Sequence, residues 1–195
     1  ALVSDAGMPS ICDPGENLVK EVKSHQLNTI CIPGPCAALT ALVSNGFPSS
    51  KFIFEGFLPK KQTERNKILL NISKRELTTI IYESPHRINK LLVELKNCCG
   101  GEREIQLSRE LTKKFEEHIG NNIDEVIEKI KDKDVLGEIT LIIKGLKNPN
   151  ISTFDESLLK KERNELIQAG LTLSSASKYL AKKKNISKNI IYNIK

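Results

Sequence analysis

The chain has 195 residues, enough for one large domain or two small ones, with 28% charged and 39% hydrophobic side chains. That balance excludes a disordered or fibrous polypeptide, and no apolar run approaches the ~20 residues that a membrane-spanning helix needs. The net charge of +6 is unevenly spread: residues 1–146 carry 20 basic and 20 acidic side chains, residues 147–170 four of each, and residues 171–195 six lysines and no acid.

In chain order, short apolar runs bounded by Gly, Pro or Ser alternate with amphipathic segments, the pattern of βα units in an α/β fold. Strands are expected at 1–4, 29–32, 52–56, 78–82, 104–108 and 139–144, where Ile, Val and Phe concentrate. Helices are expected at 16–25, 36–45, 63–73, 86–96 and 123–131. Pro35 and Pro85 suit helix first turns, and Gly46 suits a helix stop. The breakers at 46–50 and 147–150 divide the chain into 1–50, 51–146 and 147–195. No strand pattern recurs in the last part, where three short helices at 156–169, 174–183 and 187–194 are expected. Such a triplet ending in basic residues resembles a helix-turn-helix. Six lysines with interleaved Tyr, Ser and Asn favour a polyanion as partner, with Lys182, Lys183 and Lys184 at its centre. The chain starts at Ala1 inside an expected strand with no signal segment before it, so an upstream segment is expected to be missing.

Five cysteines (Cys12, Cys31, Cys36, Cys98, Cys99) and three histidines (His25, His86, His118) lack metal-ligand spacing, which points to reduced cytosolic thiols and no metal site. The densest group of special residues is 4–15, SDAGMPSICDPG. A strand that ends in Ser-Asp and enters two Gly/Pro turns puts a carboxylate and bare backbone at a sheet edge, where open α/β folds bind ligands. Tight turns are the alternative there, since Asp-Pro-Gly is also ordinary turn chemistry. Pro33-Gly34-Pro35-Cys36-Ala37 repeats the arrangement ahead of a helix N-terminus with free N–H groups. It is neither a P-loop nor G-x-G-x-x-G, so phosphoryl transfer and dinucleotide binding lack their residues. Two further strand ends, Tyr82-Glu83-Ser84-Pro85-His86-Arg87 and Ser108-Arg109-Glu110-Leu111-Thr112-Lys113, crowd unlike charges together. Glu83, Arg87, Arg109 and Glu110 are expected to face one cleft from adjacent strand ends, with an inter-strand salt-bridge set as the alternative. No G-x-S-x-G elbow accompanies Ser84 and His86, which argues against a hydrolytic triad.

Taken in order with Gly56-Phe57-Leu58-Pro59, these motifs resemble the ribosomal RNA small-subunit methyltransferase branch of the tetrapyrrole methylase family, over essentially the whole chain. The resemblance implies methyl transfer from S-adenosylmethionine to a cytidine 2′-hydroxyl of small-subunit ribosomal RNA. It implies two α/β domains with the cofactor between them, a small helical C-terminal region, a cytoplasmic homodimer, and the small ribosomal subunit or its RNA as partner. Residues 1–50 would then be the remainder of the N-terminal α/β domain, 51–146 the second methylase domain and 147–195 the basic helical end. The family has Thr where Met8 stands and Ser where Cys12 stands, and it opens with a strand and a Gly loop upstream of Ser4-Asp5. The first domain and its cleft are therefore expected to be incomplete, and the chain to be an inactive fragment. Cofactor contacts are expected at Asp5, Met8, Cys36, Ala37, Tyr82 and Glu138. A ribose hydroxyl needs a proton acceptor, for which Glu83 and Glu110 are the candidates, and Arg87, Arg109 and Lys113 would hold phosphates. The alternatives are C-methylation of a tetrapyrrole ring, which has no use for a basic tail, and a ligand-sensing nucleic-acid-binding regulator.

Overall fold

A computed structural model describes residues 1–146, 156–184 and 188–194. The chain forms two compact units, 1–146 and 147–195. In the first, helices α1 (Glu16–Ser24) and α2 (Ala37–Ser44) precede β1 (Phe52–Phe57), α3 (Gln62–Lys74), β2 (Thr78–Glu83), α4 (Pro85–Cys99), β3 (Ile105–Arg109), β4 (Glu117–Ile119), α5 (Ile123–Ile130) and β5 (Ile139–Ile143).

The five strands form one sheet in the order β1-β2-β5-β3-β4. β1 and β2 are parallel, whereas β5 runs antiparallel to both β2 and β3. Its place at the centre follows from composition, because Ile-Thr-Leu-Ile-Ile can be buried on both faces, and all five residues are. Side chains alternate across the sheet. Ile81, Leu107, Leu141 and Ile143 enter the large core under α3, α4 and α5, while Ile80 and Ile142 meet Ala38, Ala41 and Leu42 of α2 on the other face. Pro85 opens α4, and the Asn122 side chain caps α5 by accepting from Glu125 N at 2.8 Å.

The expected α/β fold and helical end are present, with differences of physical interest. Segments 1–4 and 29–32 are not strands. An apolar run becomes a strand only against a ladder neighbour, and these have none among the described residues; Val3 and Ile30 are 82% and 84% exposed. Conversely, β4 is only three residues, Glu-His-Ile, too short and polar for alternation to reveal. β2 and β3 are not adjacent either: β5 lies between them, so that Ile139 is the register partner of both Glu83 and Arg109.

In the second unit, α6 (Glu156–Gln168), α7 (Leu173–Lys184) and α8 (Lys188–Asn193) bury Leu159, Leu180 and Ile191 together. The buried Arg163 donates through Nη1 to the carbonyls of Ile191 and Ile194, both at 2.9 Å, which satisfies the open end of α8. The breaker at 147–150, Ser187 and the Lys184 side chain lie outside the described residues.

Candidate active site

The C-terminal ends of β1 and β2 and the antiparallel start of β5 converge at one edge of the sheet. A cavity of 310 Å³ opens there, walled by the loop 6–13, the N-terminus of α2 at Cys36 and Ala37, Phe57, residues 82–85 and residues 137–140. The loop is held in an unusual backbone: Gly7, Ser10 and Cys12 all have left-handed φ, at 72°, 67° and 61°. Such geometry persists where the surroundings over-determine it. Part of that determination comes from β1, whose ladder shifts register between Phe54 and Gly56. A Cβ on Gly56 (φ 62°) would lie 2.9 Å from Cys12 Sγ, so the glycine makes the seat for the loop. Burial pushes the Cys12 thiol pKa up.

Tyr82 is the hub of the wall. Its hydroxyl accepts from Ala38 N at 2.9 Å, and its ring meets Phe54 and Phe57 edge-on at 5.0 and 5.7 Å. Burial pushes its pKa up to about 12, so the hydroxyl stays protonated.

The expected carboxylates are placed differently from one another. Glu83 is 2% exposed and faces the large core side of the sheet. Its oxygens take Ser84 N at 2.9 Å, Arg87 Nε at 3.3 Å and Arg65 Nη1 at 3.4 Å. Arg65 also donates from Nε to Glu94 at 2.6 Å, and Arg87 from Nη2 to the Leu58 carbonyl at 2.8 Å. Glu83 thus ties the 83–87 turn to α3 as the centre of an ion-pair network. Glu110, with φ 50° beyond the end of β3, accepts through Oε1 from Glu138 N at 2.9 Å and from Lys113 Nζ at 3.1 Å. The Glu138 amide, then Lys113, holds its carboxyl pKa below the usual range. Lys113 Nζ also reaches Glu138 Oε2 at 3.1 Å. A Cβ on Gly137, whose φ is 89°, would collide with the Glu110 carboxylate. Glu110 therefore works as a latch on the segment 137–138 of the cavity wall.

Met8, Cys36, Ala37, Tyr82, Glu83 and Glu138 line the cavity, while Asp5 is exposed beside it and Glu110 touches it only through Gly137 and Glu138. Arg109 on β3 pairs with Glu117 on β4 at 2.6 Å, an inter-strand ion pair, whereas Glu83 pairs with Arg65 and Arg87 on helices and Glu110 with Lys113 in its own loop. Lys182 and Lys183 are exposed on α7. Sequence reasoning passed over Asp13, which lines the cavity with no polar partner among the described residues; the signal was its place in Cys12-Asp13-Pro14-Gly15. It also missed the chain Ser108 Oγ, His118 Nδ1 (2.9 Å), His118 Nε2, Glu116 Oε1 (3.1 Å). Ser108 is fully buried, so this chain tethers the loop 110–116 and offers no open nucleophile. No helix among the described residues is long and apolar enough to cross a membrane.

A mixed sheet with a cavity at its strand ends defines an α/β protein with a candidate small-molecule site, and the comparisons supply the family. Residues 1–127 match the family model of the tetrapyrrole (corrin/porphyrin) methylases. The ribosomal RNA small subunit methyltransferase I of Vibrio cholerae is 40% identical over 194 residues, covering 98% of the chain and 67% of the relative. Its namesakes in Synechocystis and Bacillus subtilis are 37% and 39% identical, covering 70% and 67% of those proteins. The chain thus spans about two thirds of the length of these relatives. In fold it is similar to the methyltransferase CobJ, with a TM-score of 0.55 at 16% identity over 71% of the chain and 62% of that structure. The cobalt precorrin-4 methyltransferase CbiF gives 0.54 at 13% over 71% and 61%. The chain belongs to the tetrapyrrole methylase family, whose members are S-adenosylmethionine-dependent methyltransferases.

Proposed function

We propose that the chain is the methyl-transferring part of an enzyme that modifies the 2′-hydroxyl of a cytidine in small-subunit ribosomal RNA, working in the cytoplasm as a homodimer. The observation that carries this reading is the run of 37–40% identity to the small-subunit methyltransferases over nearly the whole chain, including the basic helical end.

The cavity fits the cofactor in size and chemistry. Its 310 Å³ falls within the roughly 300–1,000 Å³ of small-molecule sites. Ile11, Phe57 and Ile139 supply apolar wall, and the α2 N-terminus, Tyr82 and Glu138 supply polar anchors. Met8, Cys36, Ala37, Tyr82 and Glu138 would hold the cofactor, with Asp5 at the rim. When bound, S-adenosylmethionine supplies an electrophilic methyl on its sulfonium. The residues then have to orient the ribose hydroxyl and take its proton. Glu83 and Glu110, the carboxylates expected for this, already hold cations and backbone amides. Asp13 is the uncommitted carboxylate on the wall and is our assignment for the proton acceptor. Lys113, with the outer edges of Arg87 and Arg109, suits phosphates beside the cavity; Lys182 and Lys183, exposed on α7 of the other unit, suit phosphates in their own right.

The test is to incubate the purified full-length protein with methyl-labelled cofactor and small ribosomal subunits that lack the modification. Label recovered in 2′-O-methylcytidine is the expected result. Label on a base carbon, or on an added tetrapyrrole only, overturns the reading.

A further inference from the structure

The loop 110–116 holds an aromatic side chain in water for which the fold has no use. Phe115 is 63% exposed, and its only ring contact among the described residues is Lys114, whose Nζ stands 5.6 Å from the ring centroid. The loop that carries it is over-determined. Lys113 N donates to the Glu110 carbonyl at 2.9 Å and Glu116 N to the Lys113 carbonyl at 3.1 Å. The Glu116 carboxylate accepts from Thr112 N at 2.6 Å and bonds His118, which is itself fastened to the buried Ser108.

Two of the loop residues, Glu110 and Thr112, have left-handed φ of 50° and 67°. For a β-branched threonine this is a genuine outlier. Backbone strain held in place by so many bonds marks a segment whose shape matters. What that shape presents is Phe115, between Lys113 and Lys114 on one side and Glu116 on the other. The loop is also fastened to the cavity wall, since Glu110 accepts from Glu138 N and Lys113 reaches Glu138 Oε2.

We propose that Phe115 is a stacking platform for an unpaired base of the RNA substrate at the rim of the cavity, with Lys113 and Lys114 beside it for the flanking phosphates. The proposal rests on the reading that the substrate is RNA. An exposed aromatic ring with adjacent cations is the recurring device by which proteins hold single-stranded nucleic acid, because every base has a π-face. A ring fixed before binding loses little freedom on contact. A second copy of the chain could also cover an apolar ring, but the two lysines and the tie to the cavity favour RNA.

The experiment compares the wild-type protein with F115A, F115L and F115W. The chain contains no tryptophan, so F115W introduces a single tryptophan that can be excited apart from the tyrosines. F115A is expected to weaken binding of a short oligocytidylate and of the small ribosomal subunit about 5- to 150-fold. The dependence of binding on salt should keep its slope, because no phosphate contact is lost. F115L should recover little, F115W most, and F115W emission should be quenched on titration with the oligocytidylate. Calorimetric affinity for S-adenosylhomocysteine should be the same in all four proteins. Wild-type-like RNA binding by F115A, or an F115W emission that saturating oligocytidylate leaves unchanged, overturns the proposal. So does a change in oligomeric state of F115A by light scattering with RNA affinity intact, which would assign the ring to a second copy. A wild-type protein that binds cofactor but no RNA overturns the RNA reading and the proposal together.

Discussion

Residues 1–50 and residues 51–146 carry the same kind of sequence, apolar runs punctuated by Gly and Pro, yet they use it differently. In the second stretch the runs at 78–82 and 139–143 are paired on both sides and buried. In the first, Val3, Ile30 and Ile32 stay exposed, and α2 alone contributes buried side chains to a core. Hydropathy identifies segments able to be strands. The ladder neighbour decides whether they become strands.

The sharpest way to break this contrast is a pair of equivalent truncations. Ile81→Ala, in the middle of the large core, should cost about 2–5 kcal/mol in urea unfolding, and Ile30→Ala no more than about 0.5 kcal/mol. Equal losses would mean that the two stretches share one packed interior.

The second prediction separates the cavity wall from its support. Gly137→Ala meets both an unfavourable φ and the Glu110 carboxylate, and should weaken S-adenosylhomocysteine binding by about 1–3 kcal/mol. Glu110→Ala frees the 137–138 segment and should weaken binding too. In the double variant the collision disappears while the φ strain remains, so the losses should fall short of additive by about 0.5 kcal/mol or more. Strict additivity in a calorimetric cycle would remove Glu110 as the latch.

Smaller effects are expected outside the sheet. Replacing Lys182 and Lys183 together by Gln should reduce the slope of log K against log salt for RNA binding by about 1.5–2. Stability should shift by no more than about 0.5 kcal/mol per site. An unchanged slope would make the basic helix face a solvated surface.

The smallest effect concerns Cys98 and Cys99, whose sulfurs stand 3.5 Å apart at the end of α4. The Cys98 thiol, then Arg103, favours the Cys99 thiolate and lowers its pKa to about 7, while Cys98 is pushed up. Because the folded value lies below the unfolded one, the thiolate's contribution to stability is complete above the unfolded pKa and lost as pH falls through about 7. Alkylation at Cys99 should therefore reach half its maximal rate near pH 7 and outpace Cys98. Mass-spectrometric mapping that finds Cys98 modified first would reverse the assignment.

Much of the sheet could be read from residues. Thr78 to Tyr82 and Ile139 to Lys144 are β-branched runs of strand length, and Pro85 and Gly46 mark helix ends in the right places. The order of strands could not, because β5 is separated in sequence from β2 by the whole of α4, β3, β4 and α5. The same distance hid the roles of the carboxylates. Glu83, at the end of β2, finds its partner Arg65 on the preceding helix α3, and Glu110 finds the amide of Glu138 across an intervening helix and strand. Strand-end clustering identified the neighbourhood, since Met8, Cys36, Ala37 and Tyr82 do line one cavity, and Glu138, expected from the family resemblance, lines it too. It could not distinguish a carboxylate already saturated with donors from a free one such as Asp13.

The position of β5 has a consequence for how the protein is made. The strand at the centre of the sheet is the last of the five to be synthesised. Until Ile143 has left the ribosome, the inner edges of β2 and β3 have no partner, and apolar residues on both faces are open to misdirected pairing. Both the ladder and the last wall of the cavity, residues 137–140, close in the same event, a non-local one that is slow by its topology. A translating ribosome would thus hold an unfinished, edge-exposed sheet for the time it takes to add the roughly sixty residues from the end of β2 to the end of β5.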